Sequence, residues 1–506
     1  MVILIYVSVN RKKQVDINPM TNYIHNSLDL PREEFEALLF KTVEMILKKF
    51  DTMEDEKAFS GLTPEDIRKW MDKKLPNDGM GFSELLDFTK EHVVDTATLN
   101  MAPKMFAYVM AGGTQISILA EMIASTINQN VGKWHLAPVI TEMEQQVAKW
   151  AAEFIGYDAN TAGVMVSGGS AANLTALTVA RNVFFEKENI REKGLFGFQP
   201  FSIYCSDETH NCVDKSADIL GLGTDYLKKI DTNSDFTINL EKLEEQIQKD
   251  LKDGIRPFCI IGNAGTVNTG AIDDLTALAE VAKKYEMWYH IDGAYGALAA
   301  AVRRKRPLYA GLALADSVAL DFHKWLYQPF EAGCTLIRNW SSFRKAYFKK
   351  ASYLATGLEE AGRIDFNEHQ FQLSRNAKAL KVWMSFKAYG ADRFRKMIDK
   401  DIKLTEYLAA HVQSSTDFEL VTEATLGITC FRYLGQQTDA SKIDKLNKDI
   451  IPALEADGRV FITGTTLDKK PVIRACLINH RLQERNLDYL MQVIREVGQK
   501  IEANDH

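Results

Sequence analysis

Four short runs in this chain hold residue types whose chemistry reaches beyond packing. Ser167-Gly168-Gly169-Ser170-Ala171-Ala172-Asn173 combines small residues with hydroxyls. Small residues let backbone N–H groups close on an anion, and a helix start favours negative charge. Ser170 is also suited to cap such a helix, and the run reads equally as a plain strand-to-helix turn. It matches neither Gly-x-Gly-x-x-Gly nor the Gly-x-x-x-x-Gly-Lys-Ser/Thr loop. Ser206-Asp207-Glu208-Thr209-His210 offers an imidazole, although a lone histidine there is as readily structural. His290-Ile291-Asp292-Gly293-Ala294-Tyr295-Gly296 closes an apolar run with a carboxylate. That carboxylate must meet a cation, either an arginine or a protonated ring nitrogen, to offset its desolvation. Asp321-Phe322-His323-Lys324-Trp325-Leu326 sets a lysine among large apolar neighbours. Desolvation lowers a lysine's pKa and makes a nucleophilic amine.

These runs gain meaning from the elements that must carry them. Apolar stretches at 163–167, 201–205, 257–262, 287–292, 316–321 and 333–337 are the strand candidates. Several, such as Pro257-Phe258-Cys259-Ile260-Ile261, are apolar at nearly every position, as strands covered on both faces are. Helical spacing, as in Leu275-Leu278-Val281-Ala282, falls between them. Strand–helix alternation predicts an α/β domain with a mainly parallel sheet. In such sheets ligands bind outside the carboxyl ends of the strands, where each of the four runs falls. Residues 28–100 read as polar and helical. Beyond a long helix near 375–390 the pattern changes to helices near 391–413, 440–456 and 483–502 around strands near 426–433, 458–463 and 471–477. The expected organisation is an N-terminal helical segment (1–110), a large α/β domain (111–390) and a small C-terminal α+β domain (391–506).

Composition narrows the partners. The chain has 506 residues, with 61 Lys+Arg against 68 Asp+Glu, a net charge of −7. An acidic balance argues against nucleic acid as the main partner, since phosphate neutralisation wants a basic face. The cysteines at 205, 212, 259, 334, 430 and 476 form no CxxC pair. Neither a disulfide framework nor a cysteine metal site is suggested, and no metal is expected. Scattered thiols fit a reducing compartment. The apolar start, Val2-Ile3-Leu4-Ile5-Tyr6-Val7-Ser8-Val9, is far shorter than the roughly 18 residues of a membrane span. It also lacks the layout of a secretion signal. The expectation is a cytoplasmic chain with no membrane partner. An anion cradle, a ring-sized histidine, a carboxylate and a lysine on successive strand ends are together the parts of a pyridoxal phosphate site.

The run Tyr289-His290-Ile291-Asp292-Gly293-Ala294-Tyr295-Gly296, followed by Asp316-Ser317 and His323-Lys324-Trp325-Leu326, resembles the group II pyridoxal-phosphate-dependent amino-acid decarboxylases. The interval of 32 residues from Asp292 to Lys324 agrees with that family. The resemblance runs from Phe106-Ala107-Tyr108 through Leu136-Ala137-Pro138 to the C-terminus. It implies the aspartate-aminotransferase fold (fold type I), a homodimer, and decarboxylation of an L-amino acid to the amine and CO2. It further implies that Lys324 bonds to the cofactor aldehyde, Asp292 pairs with the ring nitrogen, His210 stacks on the ring and Ala294 packs on the other side. Gly169, Ser170 and Asn173 would bind phosphate, His323 would lie beside the cofactor, and Thr266 would line the site. Tyr353, in a stretch suited to a mobile lid, corresponds to the tyrosine that returns a proton after CO2 leaves. Arg375 matches an arginine that engages the substrate carboxylate, and Trp134 and His135 are expected at the substrate pocket.

Some positions depart from the family pattern. Phe322 precedes the His-Lys pair where Pro or Ala is usual, and Val267 replaces a second Thr. Gly132 stands where several relatives place a pocket Phe. An aromatic substrate is favoured because no extra cation waits for an acidic side chain. An acidic substrate (glutamate, aspartate or cysteine sulfinate) and an aldehyde synthase of the same fold stay open.

Overall fold

The computed structural model describes residues 28–71, 73–158, 161–349 and 362–504. The chain divides into two compact units. One comprises the residues to Leu99 with Glu455–Val460, and the other comprises Asn100–Leu454 with Phe461 onward. In the first, helices span Arg32–Thr52, Pro64–Met71 and Phe82–Thr89, and none of them buries a residue fully. Trp70 stacks on His92 with ring centroids 4.7 Å apart. The N–H groups of Ala58 and Phe59 both donate to the carbonyl of Gly458.

The second unit is built on two sheets. The larger contains β1 (Ala162–Val166), β2 (Phe201–Ser206), β3 (Leu227–Ile230), β4 (Arg256–Asn263), β5 (Trp288–Asp292), β6 (Ser317–Asp321) and β7 (Gly333–Ile337). Their order is β1-β7-β6-β5-β4-β2-β3. Neighbours from β3 to β6 run parallel, whereas β7 is antiparallel to both β6 and β1. The apolar runs form these strands because helices cover both faces, and every residue of β2, β6 and β7 is buried. The edge strand β3, Leu-Lys-Lys-Ile, is an addition to the sequence reading. It is four residues long with two lysines in its centre, half-buried on the sheet margin.

The smaller sheet contains β8 (Phe418–Leu420), β9 (Ile428–Tyr433), β10 (Thr463–Leu467) and β11 (Lys470–Cys476), in the antiparallel order β10-β11-β9-β8. The strand expected at 458–463 lies further along the chain. β10 begins at Thr463 and turns into β11 through Asp468 and Lys469, both at positive φ. Gly458, also at positive φ, belongs to the turn before it. The helix Lys378–Tyr389 ends at Gly390, whose φ of 74° suits glycine, and Ala391–Ser414 follows. No described helix is long and apolar enough to cross a membrane. All six cysteines are free and buried.

Candidate active site

The ends of β1, β2, β4, β5 and β6 open onto one cavity of about 690 Å3, whose lining also includes Thr463, Gly464, Thr465 and Arg474 of the smaller sheet. The helix Gly169–Phe184 starts immediately after β1, with Gly168 at the N-cap and no side-chain cap. Ser170 is therefore the second residue of the helix and does not cap it. Its neighbours are glycines for a steric reason. A Cβ on Gly169 would meet the Ala294 Cβ at 2.7 Å, and one on Gly333 of β7 would meet the Gly168 backbone at 2.6 Å. Strand and helix start pack too closely for side chains, which leaves the first helical N–H groups facing the cavity.

Asp292 ends β5, and its Oδ1 accepts from the N–H of Ala294 at 3.2 Å. Lys324 lies in the short helix Phe322–Trp325 that follows the adjacent strand β6. His323 Nδ1 accepts from the Ala332 N–H at 3.1 Å, so its proton sits on Nε2, 3.2 Å from Asp321 Oδ2. The same oxygen lies 3.5 Å from Lys324 Nζ. The other oxygen of Asp321 is buried with no hydrogen-bond partner among the described residues. His210 accepts from the Cys212 N–H at 3.2 Å and opens onto the cavity. Desolvation lowers its pKa, with Asp292 acting against and Lys324 with it, so a neutral ring is favoured. Thr266, bonded to Thr269 Oγ1 at 2.9 Å, and the buried Asn173 complete this wall.

Residues 64–434 match the pyridoxal-dependent decarboxylase conserved domain. An aromatic-L-amino-acid decarboxylase of Bacillus atrophaeus is 33% identical, covering 94% of this chain and 98% of that protein. The chain belongs to the pyridoxal-dependent decarboxylase family. Tryptophan decarboxylase 2 of Oryza sativa subsp. japonica is 26% identical over 91% of this chain and 94% of its own length. The solved structure of the Oryza sativa enzyme TDC with PLP and tryptamine superposes with a TM-score of 0.89. At 22% identity it covers 94% of this chain and 99% of that one, and it shares the fold.

This decarboxylase takes pyridoxal phosphate as its cofactor. The residues present suit that group. The glycine-lined helix start offers N–H groups to a phosphate, Asp292 a carboxylate to a ring nitrogen, Lys324 an amine to an aldehyde, and His210 a flat face. When bound, the cofactor supplies an electron sink for the charge left by the departing CO2.

The structure gathers Gly169, Ser170, Asn173, His210, Thr266, Asp292, Ala294, His323 and Lys324 around this one cavity. Three expected substrate residues do not line it. The Arg375 guanidinium bonds Glu144 at 2.5 Å and the carbonyls of Met165 and Val131 at 2.9 and 3.2 Å, and it is buried there. Trp134 Nε1 donates to Glu142 at 2.9 Å, and His135 lies 3.3 Å from Arg363. Gly132 has no room for a larger side chain, since a Cβ there would stand 1.9 Å from the Leu373 carbonyl oxygen. Tyr353 lies outside the described residues.

Among the cavity residues not singled out from sequence are Asp321 and Arg474. Asp321 was readable as the last residue of an apolar strand two positions before His323. Arg474 sits in a strand far along the chain, where no local signal marks it.

Proposed function

We propose that this decarboxylase acts on an aromatic L-amino acid, releasing CO2 and the corresponding amine. The observation that carries the substrate class is Arg474, the arginine that lines the cavity. Its guanidinium donates to the carbonyls of Asn268 (3.1 Å), Tyr108 (3.2 Å) and Val267. Thus engaged, it braces the wall rather than waiting for an acidic side chain. The cavity lining also includes Tyr108, Val109, Met110, Val267, Phe330 and Glu331, a surface that favours a neutral ring over a carboxylate. Relatives described as aromatic-amino-acid and tryptophan decarboxylases support the same reading.

In this reading Lys324 holds the cofactor and yields it to the substrate amine. Asp292 keeps the ring nitrogen protonated, and His210 and Ala294 hold the ring between them. Gly169, Ser170 and Asn173 bind the phosphate, while Thr266 and His323 line the site. Tyr353 returns a proton to the carbon that lost CO2. The test is CO2 release across the standard amino acids plus cysteine sulfinate and diaminobutyrate. Fastest turnover on tyrosine, phenylalanine or tryptophan is expected. Fastest turnover on glutamate, aspartate or cysteine sulfinate would overturn the aromatic assignment, and aldehyde with ammonia and peroxide in place of amine would mark an aldehyde synthase.

We further propose a cytoplasmic homodimer in which residues 111–390 hold the cofactor, 1–110 are an N-terminal helical segment, and 391–506 form the small domain. The separation of β1–β7 from β8–β11 along the chain supports the boundary between the last two segments. Leu119, Met122, Ile123 and Ile127 lie exposed along one face of the helix Gln115–Ile127, the spacing of an apolar stripe that a second subunit would cover. Light scattering is expected to give twice 57.1 kDa, and an active monomer would contradict it. Free, buried cysteines support a reducing compartment. Recovery of the enzyme from membranes or medium would argue otherwise.

A further inference from the structure

One buried polar chain beneath the site runs through His290, a residue with no part in the roles described so far. His290 stands on β5 two residues before Asp292 and is fully buried. Its Nδ1 lies 2.8 Å from Ser317 Oγ on β6, and its Nε2 lies 2.7 Å from Asn173 Oδ1. Ser317 Oγ also accepts from the indole N–H of Trp288 at 2.9 Å. Asn173 Nδ2 in turn donates to Cys212 Sγ at 3.4 Å, and both residues line the cofactor cavity.

The polarity of this chain follows from Asn173, whose amide oxygen faces His290 while its nitrogen donates to Cys212. An amide oxygen only accepts, so His290 carries its proton on Nε2 and donates it to Asn173 Oδ1. A neutral imidazole with its proton on Nε2 accepts at Nδ1, so Ser317 Oγ, which accepts from the Trp288 indole, directs its own hydrogen there. Of the Asn173 nitrogen's two hydrogens, one meets Cys212 and the other is left for the cavity. Burial pushes the pKa of His290 down to about 4, which keeps the ring neutral as this polarity requires. Burial also pushes the Cys212 thiol up to about 12, leaving its sulfur in the neutral form.

We infer that His290 is a positioning residue: by holding Asn173 Oδ1 it presents the Asn173 N–H to the cofactor. This rests on the reading of Asn173 as a cofactor-binding residue. The experiment strips the full-length enzyme of pyridoxal phosphate and titrates the cofactor back, following absorbance, in the parent and in the H290Q, H290N, N173A and N173D variants. Melting of each apoenzyme reports whether it folds. A glutamine amide reaches the place of Nε2 and an asparagine amide that of Nδ1. H290Q is therefore expected to bind within about threefold of the parent and H290N about tenfold more weakly. N173D, isosteric but without the N–H, should bind more weakly than H290N. Parent-like affinity in a folded H290N would overturn the positioning role while N173A still binds weakly. Parent-like affinity in N173A would overturn the reading of Asn173 itself. Should the His290 variants fail to fold, N173D decides, and parent-like cofactor affinity there would overturn the inference.

Discussion

Arg375 and Glu144 meet inside the protein, with Nη2 of the guanidinium 2.5 Å from Oε1 of the carboxylate and both side chains almost wholly buried. The same carboxylate oxygen accepts from the Met165 N–H at 2.8 Å, which ties the pair to β1. Removing one partner strands a buried charge, which typically costs about 3–5 kcal/mol. Arg375→Ala is therefore expected to lower the free energy of unfolding by that order, as measured by denaturant titration. Parental stability with a raised KM would instead mean that Arg375 meets the substrate.

Lys324 is the lysine of the cavity, one short helix beyond β6. Lys324→Ala is expected to fold and to bind pyridoxal phosphate without the absorbance near 420 nm that a lysine-bound cofactor gives. Borohydride should then fix no cofactor to the chain. A retained band, or label fixed at another residue, would remove Lys324 from the role.

Asp401, on the helix Ala391–Ser414, is tied to the segment after Lys324. Its Oδ2 accepts from Trp325 Nε1 at 3.0 Å and Tyr327 Oη at 2.7 Å, and Trp325 stacks on Tyr295 at 5.1 Å. Burial raises its pKa from 3.8 to about 7. A carboxyl raised on folding adds stability that is full below about pH 4 and disappears as pH climbs through about 7. Asp401→Asn removes that pH dependence and keeps an acceptor. From pH 5 to pH 8 the variant should gain roughly 2–3 kcal/mol on the parent in unfolding free energy. An unchanged difference across that range would show that Asp401 does not titrate there.

In the role proposed for it Tyr353 gives the proton to the product carbon, so Tyr353→Phe is expected to keep cofactor absorbance and to lose amine formation. Mass analysis of the products reads this directly. Undiminished amine release would mean that another group, such as His210 with water, returns the proton.

The strand-end chemistry was legible in the sequence for a plain reason. Parallel strands buried on both faces are unbroken apolar runs, so a His, Asp or Lys just beyond one stands out, as His210, Asp292 and Lys324 do. The glycines at 168 and 169 marked the helix start, although they serve close packing against Ala294 and Gly333 rather than a serine cap. β3 was invisible because Leu-Lys-Lys-Ile on a sheet edge carries too little apolar pattern. The start of β10 was misplaced because its register depends on pairing with β11.

By itself, then, the sequence determined the strand–helix order, the reactive residue types and the strand ends that carry them, since burial and periodicity are written into local composition. Only the tertiary structure decided which charge meets which. Arg375 faces Glu144, Arg474 braces three carbonyls from distant segments, and His290 reaches Asn173 across the interior. Those choices depend on distances of a few ångströms between residues far apart in the chain, which local sequence does not encode.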